Sequence, residues 1–268
     1  MVGALLLRGM LVGVVAGILS FGFLKIAGEP AVDVAIAFET QLDEAKAQAE
    51  AQALIARGLP AAKEEAEPEL VSRKVQAGIG LFTGVIVYSA AFGGLFALAF
   101  ALALGRIGDL SPRATAALLA AVGVVAVYVV PNLKYPANPP SVGDPSTIGM
   151  RTALYFATIA ISLAAAIAAG MLRGRLQPRF GAWNAALIAG GAYLVVAIGA
   201  GLLLPAVNEV PAEFPAVTLW QFRIASFGAQ AIMWATLGLG FGAAAERFLA
   251  GRGAWRPHAS STLAQRRS

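Results

Sequence analysis

The chain has 268 residues, is 58% hydrophobic and only 13% charged, and carries 20 Lys and Arg against 15 Asp and Glu. A soluble domain has about twice that charged fraction, so a water-soluble globule is excluded. The net charge of +5 is no nucleic-acid signal, because acids and bases are segregated along the chain. There is no cysteine, and the single histidine, His258, lies in the final polar tail. Thiolate redox chemistry, Cys-ligated metal and Ser-His or Cys-His catalysis within the apolar segments are therefore excluded as well.

Six apolar stretches follow one another, at about 3–27, 77–104, 114–131, 152–171, 183–204 and 222–249. Each suits a helix crossing the roughly 30 Å hydrocarbon core of a bilayer, which takes about 20 residues. The sequence thus predicts an all-α, polytopic membrane protein with six transmembrane helices. Five remains the alternative, depending on whether the first stretch is retained and whether 114–131 crosses. The organisation is one membrane domain, 1–250, with an outer helical insertion at 29–76 and a basic cytoplasmic tail at 251–268.

The first stretch holds Arg8 inside its apolar run, which is longer than the roughly 7–15 residues of a signal-peptide core. Gly9, Gly13 and Gly17 recur every four residues, so one helix face admits a close neighbour. This suits a retained, packed span. The insertion that follows is acidic, and its middle, Phe38 to Arg57, is rich in good helix formers. Leu42, Ala45, Ala49, Ala53 and Ile55 sketch an apolar stripe there, and Gly58 and Pro60 end it. Pro68 and Glu69 suit the start of a further helix. From there the pattern runs to about 104, so the second span should project about three turns outward, with the 38–57 helix packed on the projection.

Positive charge falls on alternate connections. Arg106 and Arg113, then Arg173, Arg175 and Arg179, then Arg252, Arg256, Arg266 and Arg267 mark one side, while 205–221 has no Lys or Arg. Short basic loops stay in the cytoplasm, so both termini are expected inside and 29–76, 132–151 and 205–221 outside. Thirteen of the fifteen acids then lie outside, among them Asp144, Glu209 and Glu213. Such a mouth would raise the local concentration of cations, although a solvated acidic loop looks the same. Spans three and five both follow a Pro-Arg pair, hold a mid-span Tyr (Tyr128, Tyr193) and end near Pro and Asn. The likeness sketches two parallel hairpins, an arrangement found in transporters.

The loop from Pro131 to Arg151 contains five prolines, Pro131, Pro136, Pro139, Pro140 and Pro145. Fixed φ angles at that density exclude helix and make the loop stiff. Tyr135, Asn138, Pro139 and Pro140 are its candidate mouth residues, with Arg151 and Arg223 at the outer edge and Glu209, Glu213 or Asp144 as candidate ion-pair partners. Ionisable groups are essentially missing from mid-depth, where they would mark a pathway. Gln230 lies seven residues after Arg223 and shares its face, about 10 Å along the helix. With Gln76 and Met233 it forms a candidate cation lining behind Asp144, Glu209 and Glu213, because carboxylate, amide and thioether groups hold a divalent cation weakly.

The segments VSRKVQAGIGLFTGVIVYSAAFGGLFALAFA (71–101), LKYPANPPSVGDPSTIGMRTALYF (133–156) and FRIASFGAQAIMWATLGLGFG (222–242) resemble the CbtA family of proposed cobalt transporter subunits. The resemblance covers most of the chain, and the proline loop is its most specific part. It implies a bacterial inner-membrane protein that takes up Co²⁺ as substrate, with no resident cofactor and no enzymatic activity. It also implies a small one-span partner, CbtB, bearing histidines, which this chain lacks at depth. Family members are often described with five spans. No P-loop is present, so energy must come from a gradient, a partner or nothing. Other readings stay open: a transporter of another metal or of a cobalamin precursor, suited by Tyr128, Tyr155, Trp183, Tyr193 and Trp234, or a non-transporting membrane scaffold. The bilayer is the implied surroundings, nucleic acid is not a partner, and homo-oligomerisation is undecided.

Overall fold

A computed structural model describes residues 1–60, 71–140, 142–143 and 145–251, and among them it is helical with no strand. The elements are α1 (Val2–Ala27), α2 (Glu29–Ala56), α3 (Arg73–Ala103), α4 (Pro112–Lys134), α5 (Ile148–Leu203) and α6 (Ala216–Gly251). All but α2 are long and apolar enough to cross a membrane. The end of the bundle that carries α2 is called outer below.

The 56-residue α5 is two spans, not one. Gly181 has φ 77° and ψ 165°, left-handed backbone that glycine adopts without the penalty a Cβ brings. The chain reverses there: the hydroxyls of Ser162 and Tyr193 meet at 2.8 Å across 31 residues of sequence. A straight helix would hold those residues about 46 Å apart. The two arms, 148–180 and 182–203, form a hairpin, and all six apolar stretches of the sequence are found as helices.

Two features of the insertion differ from expectation. α2 starts at Glu29, directly after α1, instead of near Phe38, because Pro30 in the first turn costs no hydrogen bond and Gly28 keeps right-handed helical backbone (φ −95°, ψ −48°). α2 also packs by its first turns and not by its distal stripe. Ala31 and Ala35 are buried, whereas Ala45, Ala49, Ala53 and Ile55 are exposed. Nor does α3 project three turns outward with α2 along it. It begins at Arg73, after extended backbone at Ser72, and Arg73 binds Glu29 at 2.5 Å and Asp33 at 2.8 Å at the base of α2. The expected helix start at Pro68 and Glu69, and the basic tail beyond 251, lie outside the described residues.

The core belongs to α1, α3, α4 and α6. Leu5, Phe96, Phe100, Trp234, Leu237, Phe241 and Leu249 are buried together. The glycine face read from α1 meets α3 backbone to backbone: a Cβ on Gly9 would stand 2.2 Å from the Gly93 oxygen, and one on Gly13 equally close to the Ser89 oxygen. On the other side of the core, Gly238 faces Ala120 and Gly242 faces Ala116 and Arg113. At the inner end, Arg113 pairs with Glu246, and the Arg8 guanidinium lies 4.1 Å from the Phe248 ring centre. The α5 hairpin stands apart, with only Thr158, Ser162, Ala165, Ala185 and Ala189 buried. The two hairpins suggested by the sequence likeness of spans three and five therefore occupy unlike positions.

Two outcomes are expected. Gly13→Leu forces α1 off α3 and costs at least the roughly 1–3 kcal/mol typical of overpacking, read as a lowered melting temperature in detergent. Gly84→Ala, where a Cβ meets open space, leaves the melt unchanged or raised. Separately, Ala49→Cys and Ala212→Cys should react with impermeant thiol reagent in intact cells, and Gly174→Cys should not; the reverse labelling would invert the orientation.

Candidate functional site

At the outer end, the proline loop is tied to three other parts of the chain. The Asn132 amide oxygen accepts the Ala137 N–H at 3.0 Å, which turns the backbone sharply after α4. Tyr135 donates to the Pro205 carbonyl at 2.8 Å, and burial pushes its phenol above the ordinary 10.0, so it remains a donor. Val142 packs with Ala35 and Phe214, and the rings of Phe214 and Phe38 meet edge to face at 5.2 Å. Thr147 donates to Glu209, which also pairs with Arg151 at 3.0 Å. Gly143, at φ 128°, lies so close over that pair that a Cβ would stand 2.8 Å from an Arg151 nitrogen. The described part of the loop thus lies over the outer ends of α5 and α6, joined to the chain around 205–214.

Arg223 enters the same cover from α6. Its guanidinium donates to the Ala137 carbonyl at 3.2 Å and to the Asn138 amide oxygen at 3.0 Å. Both acceptors are neutral, so the two arginines of the outer edge differ: Arg151 has a carboxylate, and Arg223 is held by amide oxygens.

Inward of Arg223 a polar seam enters the membrane-spanning region. Ser226, one turn along α6, meets the Tyr128 hydroxyl of α4 at 2.8 Å. Gln230 stands a further turn in, beside the half-exposed Tyr88 of α3, and Tyr155 of α5 lies in the same neighbourhood. Tyr128 sits in a π-turn, Val125–Val129, where the Val130 N–H bonds the Val125 carbonyl five residues back. Pro131 follows at once and lacks an N–H of its own. The wider turn absorbs the proline without ending the helix, which runs on to Lys134 instead of stopping at 131. Four spans thus deliver hydroxyls and one amide to a single seam, where polar groups are rare and expensive.

The residues singled out from sequence fall into separate places. Tyr135, Asn138, Arg151, Glu209 and Arg223 meet at the outer cover; Pro139 is buried in it and Pro140 exposed. Gln230 lies in the seam, but Gln76 bonds the Val71 carbonyl at 2.8 Å, and Met233 is 2% exposed in the apolar core. Glu213 is exposed beside Phe214, and Asp144 lies outside the described residues. The sequence reading gave Asn132, Gly143 and Thr147 no part in the site and did not join Tyr88, Tyr128, Tyr155 and Ser226. Spacing of Ser226 from Arg223 and Gln230 was the available signal. Among the described residues, no group of three or more His, Cys, Asp or Glu is placed to hold a metal.

Five helices long and apolar enough to cross a membrane, one of them folded into a hairpin, define a multi-pass all-α membrane protein. The family model described as probable cobalt transporter subunit (CbtA) matches residues 2–246, and the chain belongs to that family. No curated protein and no solved structure gives a significant match.

The Tyr128–Ser226 contact is testable by a double-mutant cycle of Tyr128→Phe and Ser226→Ala. Interhelical hydrogen bonds of this kind couple by about 0.6 kcal/mol and at most about 1.7. Coupling in that range, measured from unfolding in mixed micelles, is expected; additive losses would place the two hydroxyls apart.

Proposed function

We propose that this chain is the membrane subunit of a Co²⁺ uptake permease in the bacterial inner membrane, with both termini in the cytoplasm. A small one-span partner bearing histidines acts with it. The observation that carries the reading is the chemistry of the seam in a member of a cobalt transporter family: hydroxyl and amide oxygens only, from Tyr88, Tyr128, Tyr155, Ser226 and Gln230. Co²⁺ is a borderline metal that favours imidazole, and neutral oxygen donors compete poorly with its hydration. Such a lining lets an ion pass and does not retain it. Imidazole from the partner would supply the missing selectivity.

In this reading the outer acids divide their work. Glu209 is engaged by Arg151 and Thr147 and shapes the mouth, while Glu213 and Asp144 would draw cations toward it. Gln230 would line the way inward, whereas Gln76 and Met233, being engaged or buried elsewhere, would act through packing.

The purified chain is expected to bind Co²⁺ weakly, and cells lacking other cobalt importers should accumulate radiolabelled cobalt only when chain and partner are both expressed. Tight stoichiometric binding by the isolated chain, or full uptake without any His-bearing partner, contradicts the proposal.

A further inference from the structure

The outer end of the seam between α4 and α6 has a surplus of hydrogen-bond donors. These helices run antiparallel, so Asn132, one turn outward of Tyr128, faces the level of Arg223, one turn outward of Ser226. Each acceptor recorded there already holds a donor: the Asn132 amide oxygen the Ala137 N–H, and the Ala137 carbonyl and Asn138 amide oxygen the Arg223 guanidinium. The donors are not used up. The Asn132 Nδ2 group is buried without a hydrogen-bond partner, in a residue only 5% exposed. A guanidinium has five N–H bonds, and the bonds at Arg223 go to two neutral oxygens. Among the described residues no carboxylate lies within ion-pair distance of Arg223.

A bare divalent cation is opposed at such a place: it needs negative charge, and the fixed charge here is positive. A carboxylate has what the site lacks. Its two oxygens match the planar guanidinium fork, and a further oxygen suits the Asn132 amide donor.

We propose that Arg223 and Asn132 form an outer carboxylate site, through which cobalt can be presented to this chain as an anionic carboxylate complex. The idea rests on the cobalt reading above for its cargo, but the carboxylate site stands on geometry alone. Oxygens already bound to the metal present acceptors to Arg223 and Asn132, so the metal is held through its own ligands. Directly inward, Ser226 and Tyr128 can each donate or accept, which suits a complex whose charge is small. The position of the site behind the Pro205-tethered loop, on a side chain 5% exposed, favours a small solute over the phosphate of a lipid headgroup.

The test uses the full chain in lipid nanodiscs, with radiolabelled citrate as probe, alone and as Co²⁺–citrate. Wild type should bind the complex. Arg223→Gln should weaken binding by about ten- to a hundred-fold, the effect of losing a hydrogen bond to a charged group at a buried site. Asn132→Asp should weaken it comparably, because a carboxylate installed there takes the guanidinium, and Arg223→Lys should retain part of the affinity. Should Arg223→Gln fail to fold, Asn132→Asp and Arg223→Lys carry the comparison. Undiminished binding in both Arg223→Gln and Asn132→Asp, or displacement by glycerol phosphate where citrate fails to compete, overturns the site. In cells, cobalt uptake that is indifferent to added citrate and to Arg223→Gln overturns the anionic-complex inference and leaves the cobalt reading intact. Citrate binding that depends on Arg223, in a chain that moves no cobalt in any form, removes the cobalt reading and leaves the carboxylate site.

Discussion

The rest of the structure depends on a backbone contact between α1 and α3. Apolar side chains gain nothing by leaving lipid for one another, so helices in a bilayer associate through close packing and polar contacts. Gly9 and Gly13 of α1 lie against Gly93 and Ser89 of α3, near enough that any Cβ would penetrate a carbonyl oxygen. That approach makes a plate of two helices onto which α6 packs, with Ser20 of α1 donating to the Ala229 carbonyl at 3.2 Å and Gly228 giving room to the Phe23 ring. α4 then closes on α6 through Gly123 under Trp234 and Ala120 under Gly238. Each step is a small residue receiving a neighbour, and the order of contacts follows from where those residues stand.

The polar seam is a consequence of the same arrangement. With α4 and α6 held close, Tyr128 and Ser226 meet and satisfy one another, since an unpaired polar group in hydrocarbon costs several kcal/mol. The π-turn of α4 aims Tyr128 and accommodates Pro131 in one deformation. A second π-turn, Thr236–Phe241 in α6, places Gly238 and Phe241 against the core below the seam. The outer half of the bundle is therefore polar between helices, and the inner half is sealed by Leu5, Phe100, Phe241 and Leu249, with Arg113–Glu246 across the end. Outer donors and inner plug are the two ends of one seam.

Much of this was legible in the sequence, for identifiable reasons. Apolar length and alternating basic connections display six helices directly, and the glycines of α1 at four-residue spacing display a packing face, because membrane packing depends on so few residue types. The start of α2 was not legible, since Pro30 and Gly28 read as breakers but occupy positions where neither breaks. The site was partly legible. Arg223 and Gln230 share a face by simple periodicity, and Arg151 with Glu209 was one of a few charge pairings on offer. Gln76 and Met233 were misleading: chemistry suggested ligands, while a backbone carbonyl and the apolar core absorbed them. Asn132 was overlooked because nothing in its neighbours shows that one end of its amide is used and the other is not.

The α5 hairpin gives the bundle a division that its sequence conceals. Its arms are as apolar as the core helices, yet they bury few residues and touch the rest chiefly through α4 and the outer loop. Two of those touches are functional in position: Arg151 with Glu209 under Gly143, and Tyr155 beside Tyr128 and Tyr88. An element attached over a small area moves at lower cost than one interlocked by glycine contacts, because fewer packed atoms must separate. The tight glycine packing of α1 on α3 and the sparsely buried α5 hairpin are thus two parts of one membrane protein, the first held by backbone contact and the second by a few polar and small-residue contacts.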